Sequence, residues 1–224
     1  ESKRQMIERY ALTEPERFWH FLHHLIPGQH FLTAALDIAA WDLLAQLRRK
    51  PLYQLLGFPW RNEPLTDYTI GIDSIDTMVE KLKAHPWPLY KIKLGSANEI
   101  DIIRNLRKHT LSPFRVDANE AWTLDEAKQL LPELKALGVT LVEQPLAKTE
   151  WEAMKELKAC SPLPLFADES CQTEDDVLKC IEGFHGINIK LAKCGGITPA
   201  LRMVEQARKS GLKIMMGSMN ESTV

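Results

Sequence analysis

From about Thr66 onward, short β-like runs alternate with amphipathic helical runs, and this alternation constrains the fold more than any other feature. The runs are "DYTIGI", "LYKIKLG", "FRVDAN", "TLVEQP", "PLFADES", "GINIKLAK" and "LKIMMGSM". Helical segments lie between them. One is "TLDEAKQLLPELKALG", in which Thr123 suits an N-cap and Gly138 a stop. Strands joined by helices of this length form parallel βαβ units. Seven in succession predict an α/β fold of the (β/α) TIM-type barrel class, with seven of the eight strands present. An open doubly wound sheet is the alternative. No G-x-G-x-x-G turn or G-x-x-x-x-G-K loop is present to support nucleotide binding there.

Ionisable residues recur at the ends of these runs. Lys93, Asp117, Glu143, Asp168 and Lys190 are separated by 24, 26, 25 and 22 residues, nearly one βα unit each. In a barrel the C-terminal strand ends ring one mouth, where active sites of this architecture sit. Strand alternation puts Lys91 and Lys93 on one face and Tyr90, Ile92 and Leu94 on the other. By the same alternation Arg115, Asp117 and Asn119 share a face, as do Asn188 and Lys190. The polar face is expected to look into the barrel and the apolar face to pack on helices. Solvated strand ends joined by salt bridges would explain one such residue more easily than five.

Three carboxylates from adjacent strands, with no histidine or cysteine among them, make a hard oxygen site that suits Mg²⁺. Lysines flank the carboxylates on both sides. A lysine near a metal and a second ammonium can have its pKa lowered and act as a base. Lys91 is expected to depress the pKa of Lys93 in this way and to touch a carboxylate substrate. Two lysines on opposite sides of a carbon could remove a proton from one face and return it to the other.

The motifs K-x-K at Lys91–Lys93, "DAN" at Asp117, "EQP" at Glu143, "DES" at Asp168 and "NIKLAKCGG" at Lys190 resemble the enolase superfamily, in its muconate-lactonizing subgroup. Upstream, "AALDIAAWDLLAQLRRKPLYQLLG" is similar to the helical part of that family's capping domain. The resemblance covers nearly the whole chain. It implies Mg²⁺ ligation by Asp117, Glu143 and Asp168, with Lys93 and Lys190 as the acid/base pair. Lys193 is a rival for the second role, although alternation points Lys190 inward. Within the subgroup, "DYTIGID" and "GSMNES" look most like dipeptide epimerases acting on Ala-Glu peptides from cell walls. That implies inversion of the C-terminal residue's α-carbon by 1,1-proton transfer through an enediolate. Lys91, Thr69, Asn119, Met219 and Glu221 would then help hold the substrate. An N-acylamino acid racemase, an o-succinylbenzoate synthase or a muconate cycloisomerase could use the same residues. A Schiff-base aldolase would leave the three carboxylates unexplained. A non-catalytic barrel would have to explain five ionisable groups around one mouth.

Residues 1–62 read as the helical part of the capping domain and 63–224 as the barrel. In the first part, Leu32, Leu36, Ala39, Leu43 and Leu47 define an apolar helix face, with Arg48, Arg49 and Lys50 in the last turn before Pro51. "EPERFWHFLHHLI" predicts a second helix, with His20, His23 and His24 on a solvated face. The resemblance further implies an eighth strand and an acidic loop after Val224, and strands before Glu1. The expectation is of an internal part of a longer enzyme, poorly stable and inactive alone.

The net charge of −2 offers no basic excess for nucleic acid or an anionic membrane. The four cysteines include no C-x-x-C pair, which favours reduced thiols and a cytoplasmic setting. The expected partner is a small dipeptide, and a homo-oligomer is compatible with the sequence.

Overall fold

The computed structural model describes residues 2–61, 63–95 and 98–219. Four helices come first: α1 (Ser2–Glu8), α2 (Pro15–Leu25), α3 (His30–Arg48) and α4 (Leu52–Leu55). Strands and helices then alternate. They run β1 (Tyr68–Ile70), α5 (Ile75–Ala84), β2 (Tyr90–Lys93), α6 (Glu99–Arg107), β3 (Phe114–Asp117) and α7 (Leu124–Ala136). After these come β4 (Val139–Glu143), α8 (Trp151–Cys160), β5 (Leu165–Ala167), α9 (Cys180–Gly183), β6 (Gly186–Lys190), α10 (Leu191–Cys194), α11 (Ile197–Lys209) and β7 (Lys213–Gly217).

The strands form one sheet in the order β1 to β7, and every neighbouring pair is parallel. The sheet curls. Arg115 of β3 reaches Asp67, just before β1, at 3.0 Å, and its guanidinium lies 3.7 Å from Met215 Sδ on β7. The alternation predicted for β2 is present: Tyr90, Ile92 and Leu94 are buried in the layer beneath the helices, together with Ile103 and Leu106 of α6. That apolar layer leaves the opposite, inner face for Lys91 and Lys93. Thr123 caps α7 through a reciprocal bond with Glu126, and Gly138 follows that helix at φ +80°. "GINIKLAK" is shorter as a strand than it reads. β6 ends at Lys190 and the chain turns directly into α10, which places Lys193 on a helical turn.

The apolar face expected of α3 is not the buried one. Leu32, Leu43 and Leu47 are exposed, whereas Thr33, Ala34, Asp37, Ala40 and Ala45 are buried. Small side chains let α3 approach α10 and α11 closely, and polar groups complete the seam. Asp37 accepts hydrogen bonds from the Thr198 amide (2.9 Å) and hydroxyl (2.7 Å). Trp41 Nε1 donates to Thr198 Oγ1, and Trp19 Nε1 to the Gly195 carbonyl. Gly196, at φ +125°, is the N-cap of α11, and a Cβ there would lie 2.3 Å from Asp37 Oδ2. The cap that α11 lacks locally therefore comes from α3. His20, His23 and His24 lie on the exposed side of α2, as expected. All four cysteines are unpaired, and only Cys160 is exposed. Among the described residues, no helix is long and apolar enough to cross a membrane.

Candidate active site

The five spaced residues converge at the C-terminal strand ends. Asp117 and Glu143 are register partners across β3 and β4, and Lys93 pairs with Asp117 across β2 and β3. Asp168 follows β5 and Lys190 ends β6. Asp117, Glu143 and Asp168 are all buried.

Ammonium groups meet these carboxylates. Lys91 Nζ lies 2.9 Å from Asp117 Oδ2 and 2.7 Å from Glu143 Oε2, reaching over β3 to β4. Lys93 Nζ lies 3.3 Å from Asp117 Oδ2 and donates to Asn119 Oδ1 at 2.9 Å. Lys190 donates to Asp168 Oδ2 at 2.5 Å. Lys193 donates to Asp168 Oδ1 and to the carbonyls of Asp168, Cys171 and Asn188. Asn188 completes the arc by donating to Glu143 Oε1 at 2.8 Å.

The charges differ from place to place. Burial pulls the Lys91 ammonium down, but Glu143 and Asp117 outweigh that and hold it well above its ordinary value. Lys91 thus meets two carboxylates of the protein itself, whereas the sequence suggested contact with a substrate carboxylate and with Lys93. Burial, then the charges of Asp117 and Asp168, push Glu143 up to about 7 despite Lys91. Within that pair the proton belongs to Lys91, because its ammonium serves two carboxylates while Glu143 is crowded by negative neighbours. Burial also opposes ionisation of Asp168, but Lys193 and Lys190 outweigh it and hold the group at about 2.

A hard divalent cation fits these residues in donor chemistry, strand position and charge. The donors are all oxygen, one cation already bridges Asp117 and Glu143, and Glu143 remains short of positive charge. Buried Asn188 Oδ1 and Glu169 Oε2 have no protein partner among the described residues. With the lysines on the carboxylates, no three acidic, histidine or cysteine side chains gather around one point among the described residues.

The expected substrate contacts are placed unevenly. Thr69 is exposed and in register with Lys91, and Asn119 links Lys93 to Glu169, donating to Glu169 Oε1 at 3.1 Å. Met219 is partly exposed after β7, and Glu221 lies outside the described residues. Sequence reasoning missed Glu169 and Gln144. Simple alternation from Glu143 turns Gln144 away from the mouth, and its left-handed backbone is invisible to that rule.

Residues 74–224 match the family model described as enolase C-terminal domain-like. Residues 5–57 match the mandelate racemase / muconate lactonizing enzyme N-terminal domain. The chain is 49% identical over 224 residues to an L-Ala-D/L-amino acid epimerase of Flavobacterium johnsoniae, covering 100% of this chain and 67% of that protein. A dipeptide epimerase from Cytophaga hutchinsonii, solved with Mg and D-Ala-L-Val, superposes with a TM-score of 0.88 at 28% identity, covering 95% of this chain and 60% of that one. The substrate-liganded L-Ala-D/L-Glu epimerase from Bacillus subtilis superposes with a TM-score of 0.87 at 33% identity, covering 95% and 62%. The chain therefore spans about two-thirds or less of the length of these relatives.

Proposed function

This chain belongs to the mandelate racemase / muconate lactonizing enzyme family of the enolase superfamily, and from that membership we propose that it carries the catalytic centre of a Mg²⁺-dependent dipeptide epimerase. The observation that carries the reading is the pair Lys93 and Lys190, which flank three buried carboxylates from opposite sides. The names of the relatives support the dipeptide as substrate. Residues 1–62 serve as the helical part of a capping domain and 63–224 as the barrel.

Lys93 and Lys190 act as the acid/base pair. One, as a neutral amine, takes the α-proton of the C-terminal residue. The other, as an ammonium, donates a proton to the opposite face, so one proton leaves and one arrives. Lys93 is suited to exchange with substrate because its side chain is 38% exposed. Lys190 has a single acceptor among the described residues and can leave it. Lys193 is held by four oxygens and braces Asp168. Asp117, Glu143 and Asp168 would hold Mg²⁺, which supplies positive charge against the negative charge that develops on the substrate carboxylate. Lys91 balances Asp117 and Glu143. Thr69, Asn119 and Met219 would contact the substrate, and Glu221 is assigned to it from the sequence motif alone. Cytoplasmic turnover of cell-wall dipeptides is the matching context.

Proton NMR of the whole protein in D₂O with Mg²⁺ and an Ala-Glu dipeptide tests this. Loss of the C-terminal α-proton signal, with appearance of the diastereomer, is expected. Exchange on an N-acylamino acid but on no dipeptide would move the assignment to a racemase on the same residues.

A further inference from the structure

Gln144 is fully buried, yet its backbone is left-handed at φ +39°. A residue with a Cβ seldom adopts that conformation unless its surroundings impose it. Here the surroundings are three strand ends. The Gln144 amide donates to the Phe166 carbonyl of β5 at 2.8 Å. Its carbonyl accepts from the Glu120 amide, just beyond β3, at 2.9 Å. Its side chain uses the whole capacity of a carboxamide. Oε1 accepts from the amides of Asp168 (3.0 Å) and Ser170 (3.1 Å), and Nε2 donates to the Leu146 carbonyl and to Ser170 Oγ, both at 2.9 Å.

We propose that Gln144 is a positioning residue that sets the mutual placement of Asp117, Glu143 and Asp168 for a divalent cation. Covalently it follows Glu143, through Oε1 it fixes the backbone of Asp168, and through its carbonyl it fixes the loop that begins at Asp117. Neither glycine nor asparagine, which adopt this backbone more readily, could span to Asp168 and Ser170 in the same way. The left-handed turn redirects the side chain from the outer face, where strand alternation would put it, along the strand ends. The inference rests on the assignment of those three carboxylates as metal ligands.

Calorimetric titration of Mg²⁺ into the metal-free whole protein tests it. Gln144→Met keeps the bulk of the side chain and removes its four hydrogen bonds. Mg²⁺ should bind roughly 10–100-fold more weakly, the usual effect of losing a group that orients a ligand. Leu134→Ala, in the core beneath α7, is the control. It should lower the melting temperature while leaving Mg²⁺ affinity within about twofold, as independent sites do. Should Gln144→Met not fold, Ser170→Ala removes one acceptor of Nε2, and a loss of roughly two- to tenfold is expected. Unchanged Mg²⁺ affinity in the variant read overturns the positioning role alone. Failure of the unsubstituted protein to bind Mg²⁺ overturns the ligand assignment and this proposal together.

Discussion

Asp37 and the carboxylates of the barrel mouth are alike in burial and unlike in what meets them. Asp37 faces neutral donors, the amide and hydroxyl of Thr198, at the start of α11. Asp117, Glu143 and Asp168 face one another and four lysines. The first arrangement closes a seam between helices and leaves no charge to exchange. In the second, burial and like charges make Glu143 hard to ionise, while Lys193 and Lys190 let buried Asp168 ionise readily. A buried carboxylate that only completes a helix end does structural work. Buried carboxylates that repel each other beside ammoniums are suited to a cation and to proton transfer.

The largest expected effect lies at the mouth. Lys93→Ala and Lys190→Ala should each slow α-proton exchange by about 10²–10⁴-fold, the range for losing a general acid or base. Exchange is read by NMR in D₂O, and urea unfolding of Lys93→Ala should show stability close to that of the unsubstituted protein. Equal activity of Lys190→Ala, with Lys193→Ala inactive and stably folded, would exchange their assigned roles.

At the seam the effect should move from rate to stability. Asp37→Ala removes the cap of α11 and is expected to cost about 2 kcal/mol. For a chain of this size that lowers the melting temperature by about 4–8 °C. Exchange per folded molecule should stay within about twofold. A much larger loss of activity than of folded protein would break the contrast between the two regions.

Acid unfolding sharpens the contrast, because the two kinds of carboxylate carry opposite signs. Burial raises Asp37 above its ordinary 3.8, although the Thr198 bonds oppose this. The proton-linked part of its contribution is therefore full below 3.8 and is lost as pH rises through the raised value. Asp168 lies at about 2, so its contribution is full above about 3.8 and is lost as pH falls through about 2. In metal-free urea titrations, the stability difference between the unsubstituted protein and Asp37→Asn should shrink as pH rises. The difference from Asp168→Asn should instead shrink by about 2 kcal/mol as pH falls toward the lower value. Parallel pH curves would remove the distinction.

The smallest effect is expected on the leucine side of α3. Leu47 is 72% exposed, so Leu47→Gln should change stability by less than about 0.5 kcal/mol in urea unfolding.

Much of the site was legible because its signals are local. Alternation within β2 and β6 put Lys91, Lys93, Asn188 and Lys190 on the inner face, where the structure has them. The T-x-x-E capping box of α7 is likewise written in adjacent residues. The buried side of α3 was not legible. Hydrophobic periodicity favours leucines, whereas the actual seam needed small residues for close approach and a carboxylate for the end of α11. Gln144 escaped because a left-handed residue breaks the alternation on which the reading relied.

By itself the sequence determined which residues stand at strand ends and which chemical groups they bring, since both follow from spacing and a two-residue period. Only the tertiary structure decided who meets whom: Lys91 with Glu143 two strands away, Lys193 with the turn after Asp168, and Asp37 with Thr198. Those pairings depend on the curl of the whole sheet and on the approach of α3 to α11. Both are sums over many strands and side chains, and no short stretch of the chain contains them.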